Sequence, residues 1–92
     1  SWPEVPNVDF GIVSIVATTK SRSQVWDLNF TDKAATVSAA DQANASARLV
    51  ISGDAEAMDL YLWGRIDSSD SRISITGEGE ETFKQLMQVA VL

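Results

Sequence analysis

The sequence contains no cysteine and no histidine. Without cysteine the chain has no disulfide, no thiolate nucleophile and no cysteine-ligated zinc or iron–sulfur site. Without histidine it has no imidazole ligand and no Ser-His-Asp or Cys-His site, so the commonest general base is missing as well. Most catalytic chemistry is therefore closed to this chain acting alone, and we expect no metal site in it.

Basic residues are also scarce. Seven Lys plus Arg stand against thirteen Asp plus Glu, for a net charge of -6, and the seven are scattered along the chain. This distribution argues against nucleic acid or an anionic membrane as a partner. No apolar run approaches the length of a membrane span, and the first residues lack the regions of a signal peptide. We therefore expect a cytoplasmic protein with no nucleic-acid and no membrane partner.

The 92 residues, 45% of them hydrophobic, are enough for one domain. A chain of this size buries roughly 60–70% of its unfolded surface, so it needs no metal or disulfide to fold. Residues 1–7 contain both prolines and are predicted to be a linker or irregular lead-in. Residues 8–92 are predicted to form a single domain.

Five segments have the pattern of β-strands. Residues 8–19 are dense in β-branched side chains and apolar on both faces, which predicts a largely buried strand. Residues 24–31 alternate cleanly, and residues 43–52 alternate with alanines on one side. Shorter strands are predicted at 34–40 and around 73–75. The repeated alanine indicates close packing against another element, or room left for a ligand.

Two segments have helical spacing. From Ala55 to Ile66 apolar residues recur at intervals of four, with Asp54 as the predicted N-cap, and a second amphipathic helix begins near Glu80. The glutamates at its start are explained better by a solvated helix N-terminus than by a cation site. Strands that come first and helices that come late predict an α+β fold, with an antiparallel or mixed β-sheet of about five strands and two helices packed on one face.

The segment from Trp26 to Arg65 resembles the C-terminal domain of the mycothiol-dependent maleylpyruvate isomerase (MDMPI) family, and the resemblance spans nearly the whole chain after Asn7. A small-residue strand leads through Gly53 into a helix that ends in Leu62-Trp63-Gly64-Arg65, the most specific element, and Gly77-Glu78 precedes the last helix. The resemblance implies a fold like the sterol carrier protein 2 (SCP2) domain. It also implies a two-domain parent, in which a DinB-like N-terminal helical domain carries the metal ligands.

That helical domain and its histidines are missing from this sequence, so the metal site and the isomerase activity are not transferred to it. The resemblance implies the DinB-like domain as a partner, and mycothiol and a divalent metal (zinc) as cofactors of the full-length parent rather than of this chain. One residue is transferred: the family's arginine falls on Arg65. It would contact the carboxylate of a small-molecule substrate or the thiol cofactor.

The residue pattern leaves a second interpretation of Arg65 open. At the margin of the apolar stripe, its planar guanidinium suits a dicarboxylate such as maleylpyruvate. The structural alternative is an ion pair with Asp59, Asp67 or Asp70, or a favourable position at the helix C-terminus. Asp59 itself falls inside the apolar arc, so we expect it to have partners or to lie where that face is open.

The aromatic residues Trp26, Tyr61 and Trp63 are candidates for lining a ligand cavity, although such residues are commonly core. Trp2 is expected to be exposed or to pack on a neighbouring domain. Three functions remain open: a C-terminal accessory domain of a mycothiol- and metal-dependent isomerase-type protein that contributes cleft residues, a stand-alone SCP2-like module for a lipid or small apolar ligand, and a structural domain that docks to a helical partner.

Overall fold

The computed structural model describes residues 10–31 and 34–91, so the predicted lead-in and Trp2 lie outside the described residues. Its elements are β1 (Gly11–Thr18), β2 (Ser23–Thr31), β3 (Ala34–Ala40), β4 (Leu49–Asp54), α1 (Ala55–Leu62), β5 (Ile73–Gly77) and α2 (Glu80–Val91). The strands form one sheet in the order β3-β2-β1-β4-β5. β1 and β4 are parallel and the other neighbours are antiparallel. The predicted α+β fold with a mixed five-stranded sheet and two helices is confirmed.

The core lies between the helices and one face of the sheet. Alternate residues of the two central strands are fully buried there, with Val13 and Ile15 from β1 and Leu49 and Ile51 from β4 each at most 2% exposed. The helices add Ala57, Met58, Tyr61, Phe83 and Leu86 to the same hydrophobic cluster. Because every side chain of this cluster is apolar or carries a single hydroxyl, its burial is driven mainly by the hydrophobic effect.

A polar contact fixes the opposite face of the sheet. Ser14 of β1 is fully buried, and its Oγ donates to Asp27 Oδ1 at 2.7 Å. The backbone N–H of Asn44 donates to the same hydroxyl at 3.0 Å, and Asn44 Nδ2 donates to Asp27 Oδ2 at 3.3 Å. This network ties the loop between β3 and β4 to the sheet.

The predicted strand over 43–52 is wrong in its first half, since β4 begins only at Leu49. Asn44 is the physical reason: its Oδ1 accepts from Ser46 N at 2.8 Å, and its carbonyl accepts from Ala47 N at 3.0 Å. These local bonds compete with a strand ladder, and alanine adds little strand propensity against them. The alanine-lined strand that left room for a ligand is therefore a loop.

Helix α1 begins as predicted but is shorter than predicted. Asp54 caps it by accepting a hydrogen bond from Ala57 N at 3.2 Å. The helix ends at Leu62 instead of Ile66, because Gly64 adopts a left-handed φ of 75°. Gly64 N then donates to the carbonyl of residue 61 at 3.0 Å and Arg65 N to that of residue 60 at 2.8 Å. This is a Schellman motif, which terminates the helix and turns the chain away.

Candidate functional site

A cleft of about 500 Å³ lies between the end of α1 and the middle of α2. Its walls come from the last turn of α1 with the segment that follows, and from one side of α2. The lining residues are Tyr61, Leu62, Trp63, Gly64, Arg65, Ile66, Asp67, Phe83, Lys84, Met87 and Gln88. The volume falls within the range of roughly 300–1,000 Å³ that is usual for small-molecule sites.

The helix-ending motif decides which side chains of α1 reach solvent at this cleft. Tyr61 still belongs to the helix and is only 5% exposed, whereas Trp63 at the C-cap is 70% exposed. Gly64 reverses the chain there, so Arg65 follows on the exposed side. The Trp-Gly-Arg spelling therefore places exposed Trp63 and Arg65 in the lining of the cleft, which also has apolar residues such as Ile66 and Met87.

A carboxylate from the first turn of α2 organises the polar end of the site. Glu80 Oε2 accepts from the Tyr61 hydroxyl at 2.6 Å, and Glu80 Oε1 accepts from Ser68 Oγ at 3.1 Å. Lys84 Nζ lies 3.7 Å from Glu80 Oε2 and 5.8 Å from the centroid of the Tyr61 ring. Glu80 is therefore partly buried and hydrogen-bonded, unlike Glu78 and Glu81, which are exposed as the prediction of a solvated helix start requires.

The pKa of Tyr61 is raised well above its usual value, first by burial and then by its hydrogen bond to Glu80 and the charge there. The phenol is neutral at physiological pH, and its proton is committed to the carboxylate. Tyr61 is thus suited to anchoring α2 against α1 at the base of the cleft, and unsuited to accepting a proton from a ligand.

The carboxylates that follow α1 are held by close neighbours. Hydrogen bonds from the Arg72 side chain and backbone lower the pKa of Asp70 to about 2, and bonds from Ser69 lower the pKa of Asp67. Asp70 faces the guanidinium with Nε at 3.0 Å and Nη2 at 3.1 Å. Within residues 10–31 and 34–91 the ion pairs are Arg72–Asp70 and Lys84–Glu80. The ion pair considered as the structural role of Arg65 is therefore not formed in that part of the chain.

The structure brings three of the four predicted site residues together. Tyr61, Trp63 and Arg65 all line the cleft. Trp26 does not: it is a half-buried residue of β2, paired with Ile15 and packed against the core. Trp26 therefore does not line this cleft, because its strand places it on the sheet rather than at the helix ends.

Sequence reasoning missed the contribution of α2, namely Lys84, Met87 and Gln88. The signal was available, since these positions follow Glu80 at intervals of four, seven and eight and so share one face of the helix. The expectation for Asp59 is met by its second option, because this residue is exposed. Arg48 lies over the Phe10 ring, with Cζ 4.8 Å from its centroid.

The described residues offer no ligand set for the divalent metal that the resemblance assigns to the full-length parent. Within the described residues no three Asp or Glu side chains converge on a point that a metal ion could occupy, and the sequence has no His or Cys to complete such a set. In the same part of the chain, neither helix has the length and apolar character needed to cross a bilayer.

The chain matches one protein-family model and has the same fold as several solved structures. The family model described as the MDMPI C-terminal domain matches residues 11–82. A search of curated protein sequences finds no match to the chain. Sterol carrier protein 2 from Yarrowia lipolytica has a similar fold, with a TM-score of 0.70 at 10% identity over 89% of this chain and 70% of that one. Palmitated SCP2L2 from Aedes aegypti gives 0.60 at 18% identity, over 90% and 74%.

The fold also occurs inside a much larger protein. The sec-alkylsulfatase Pisa1 from Pseudomonas sp. matches with a TM-score of 0.65 at 12% identity, over 86% of this chain but only 12% of the sulfatase. At these identities the structural likenesses establish the fold, which is that of SCP2-like proteins.

Proposed function

Because the chain belongs to the MDMPI C-terminal domain family, we propose that it is the accessory domain of a two-domain, mycothiol- and metal-dependent protein of the maleylpyruvate isomerase type. In this role it contributes Arg65, Trp63 and Tyr61 to a cleft, while a DinB-like N-terminal domain holds the metal and the thiol chemistry. The cytoplasmic location expected from the sequence is part of the same proposal.

One observation carries the proposal. The most specific family motif is also the segment that ends α1 and turns Trp63 and Arg65 to the rim of the cleft. A family signature at a surface rim is more readily explained by a ligand or a neighbouring domain than by stability, because exposed side chains contribute little to folding.

The chemistry of the rim suits an anion with an apolar or planar body. Arg65 presents a planar fork of donors that matches a carboxylate, and within the described residues it is not consumed by an ion pair. Ile66 and Met87 add apolar surface to the cleft, whereas the charge of Lys84 is offset by Glu80, whose Oε2 lies 3.7 Å from Lys84 Nζ. A small dicarboxylate, or the carboxylate of a substrate joined to a thiol cofactor, fits this combination. The thiol cofactor and the metal would supply the isomerisation chemistry; this chain would bind and orient.

The test is substitution of Arg65 in the full-length parent. Removing a hydrogen bond to a charged group costs about 1.5–3 kcal/mol, so Arg65→Ala should lower kcat/KM for maleylpyruvate roughly 10- to 100-fold. The melting temperature should stay within about 1–2 °C, because Arg65 is exposed. Arg22→Ala is the matched control, since Arg22 is an exposed arginine in the β1–β2 turn and does not line the cleft. Unchanged turnover, or an equal loss of folding, would refute the role of Arg65.

Two other observations favour a second function. The cleft has apolar residues in its lining, and the fold of the chain is similar to that of a palmitated SCP2L2. In this alternative the chain is a stand-alone SCP2-like module for a lipid or another small apolar ligand. Titration of the isolated chain with palmitate, followed by fluorescence, should then show saturable binding that Met87→Glu abolishes. Thr76→Glu is the control, because Thr76 is exposed on β5 and does not line the cleft. Absence of saturable binding would exclude this alternative without affecting the first.

A further inference from the structure

Within residues 10–31 and 34–91, the outer edge of β3 has none of the features that usually prevent an edge strand from pairing with another strand. β3 is one of the two edges of the sheet, and all seven of its residues pair with β2 in continuous register, without a bulge. Residues 35–39 are exposed. Edge strands in natural proteins usually carry a charge, a proline, a bulge or a cover; Ala34–Ala40 has no charge, no proline and no bulge.

The other edge is different. β5 has only five residues, and it ends at Gly77 with a left-handed φ of 97°. A short strand that stops in this conformation offers little length for a new ladder. The two edges of the sheet therefore differ: β5 is short and ends at a left-handed glycine, whereas β3 is longer and regular. Of the two, β3 is the edge better suited to pairing with another strand.

The residue order of β3 is symmetric about its centre. The strand reads Ala-Ala-Thr-Val-Ser-Ala-Ala, with Val37 in the middle. If a second copy pairs antiparallel with Val37 opposite Val37, then Thr36 faces Ser38 and Ala35 faces Ala39. A two-fold interface requires this kind of self-complementary surface. Hydroxyl pairs and β-branched pairs are favourable cross-strand neighbours, and alanine permits close approach.

The flanking charges agree with the same register. In the sequence Lys33 precedes the strand and Asp41 follows it. In a register centred on Val37, position 33 of one chain is counted opposite position 41 of the other. Each end of the paired strands therefore combines one lysine with one aspartate. Any register shifted by two residues loses this match of opposite charges and the match of Thr with Ser.

The contact would also cover an apolar surface. Val37 is 66% exposed although it lies beside Leu28, on the face of the sheet that carries the core. Leu28 is itself only half buried. Pairing through β3 would place a second Val37 against this pair of side chains and remove apolar area from water in both copies.

We propose that β3 is a self-association edge, through which two copies of this chain pair antiparallel about Val37 to form one continuous ten-stranded sheet. The partner is a second copy of the chain, and the surface is separate from the cleft. The proposal does not depend on the function proposed for Arg65, so either can fail without the other.

Sedimentation analysis of the 92-residue chain over a range of concentrations tests the proposal. The mass should rise from 9.9 kDa towards twice that value as the concentration increases. Val37→Lys should keep the chain monomeric without unfolding it, because Val37 is exposed. Ser74→Lys, at an exposed position of β5, should leave dimerisation unchanged. A chain that is monomeric at every concentration, or a dimer that survives Val37→Lys, would overturn the proposal; the first result would leave this edge to a different protein.

Cysteine substitution tests the register, because the chain has no cysteine of its own. Directly opposed residues in an antiparallel pair have Cβ atoms about 4.5–5.5 Å apart, close enough for a disulfide after small adjustments. Under mild oxidation Val37→Cys should form a covalent dimer. A mixture of Thr36→Cys and Ser38→Cys should give the mixed dimer in preference to either homodimer. Equal yields from all three combinations, or no excess over Ser74→Cys, would contradict pairing centred on Val37.

Discussion

At the scale of single residues, the polar side chains with the greatest structural effect are those that connect separate elements. Ser14, Asp27 and Asn44 join the first two strands to the loop before β4, through bonds of 2.7, 3.0 and 3.3 Å. Glu80 does the same between the two helices by accepting from Tyr61 and Ser68. In both groups a buried or half-buried polar atom is satisfied by a partner distant in sequence, which sequence patterns do not show.

Replacing Ser14 with alanine tests the first group. The substitution removes the partner of the Asn44 N–H and one donor to Asp27, and Ser14 is fully buried, so water does not readily replace the hydroxyl. We expect a loss of about 1–3 kcal/mol in the free energy of unfolding, measured by urea denaturation. Ser74→Ala on β5 is the control and should change it by less than about 0.5 kcal/mol, because Ser74 is exposed. Equal losses for Ser14→Ala and Ser74→Ala would mean that the hydrogen bonds of Ser14 do not contribute to the free energy of unfolding.

The second group has a pH signature. Tyr61 is the only tyrosine, so its ionisation can be followed by absorbance near 295 nm. Burial and the bond to Glu80 raise the pKa of the phenol in the folded state above the ordinary value of about 10. The resulting stabilisation is therefore fully present below pH 10 and is lost as the pH rises towards the folded pKa.

We expect the tyrosinate signal to appear only well above pH 10, together with alkaline unfolding. Glu80→Gln should lower the pKa of Tyr61, because it removes the negative charge beside the phenol but leaves an acceptor. Glu81→Gln, at an exposed neighbour with a weaker electrostatic effect on Tyr61, should lower it less. A folded chain that ionises Tyr61 near pH 10 would contradict the hydrogen bond.

At the scale of elements, two glycines with positive φ decide where α1 and β5 stop. Gly64 has a φ of 75° and ends α1, with nothing within 4 Å of the place where a Cβ would stand. Gly77 has a φ of 97° and ends β5, and a Cβ there would collide with the backbone carbonyl of Arg48. Gly64 is therefore required only for its left-handed φ. Gly77 is required both for its left-handed φ and because there is no room for a Cβ.

This difference predicts an order of stability among substitutions. Gly64→Ala should cost about 1–2 kcal/mol, which is the penalty for a left-handed L-residue, and Gly64→Asn should cost less, because asparagine tolerates that region. Gly77→Ala should cost more than Gly64→Ala, since the β4–β5 pairing must also open. Urea unfolding of the three variants provides the comparison. A Gly64→Ala cost equal to or greater than that of Gly77→Ala would refute the interpretation.

At the scale of the whole molecule, the two helices share one core with the sheet, and the cleft exists only where they meet. Phe83 joins α2 to this core: it is 1% exposed, and its ring lies 6.0 Å from that of Phe30, edge to face. Phe83 also lines the cleft, together with Lys84, Met87 and Gln88 of the same helix. Stability and the site therefore share α2, and Phe83 belongs to both.

Phe83→Ala should cost about 3–5 kcal/mol, because it leaves a large cavity in the core. A domain of this kind has a total stability of about 5–15 kcal/mol, so the variant should have a strongly lowered melting temperature and lose the cleft with the fold. Trp63→Ala, by contrast, should change stability by less than about 1 kcal/mol, since its ring is 70% exposed. Thermal unfolding of both variants checks the contrast; a large loss for Trp63→Ala would mean that its ring belongs to the core.

Much of the fold was predictable because it depends on patterns with a fixed period. Residues 24–31 alternate as a strand, the helix starting near Glu80 has apolar spacing of three and four, and Asp54 is a strong capping residue. The family spelling at Leu62-Trp63-Gly64-Arg65 correctly indicated an SCP2-like domain. It also singled out Arg65, which lines the cleft.

Other features depended on contacts between distant residues. Alternation alone predicts that β4 starts at residue 43. The strand starts later because Asn44 is hydrogen-bonded to Ser14 and Asp27, which are 30 and 17 positions away in the sequence. Helical spacing alone extended α1 to Ile66, and the shared aromatic character of Trp26, Tyr61 and Trp63 does not show that Trp26 lies apart from the other two. The sequence by itself determined the type and order of the helices and strands and the Leu62-Trp63-Gly64-Arg65 motif, because these depend on residues close together in the chain. Only the tertiary structure decided that Lys84 joins Arg65 at the cleft and that Trp26 does not, because those positions follow from how α2 packs across the end of α1.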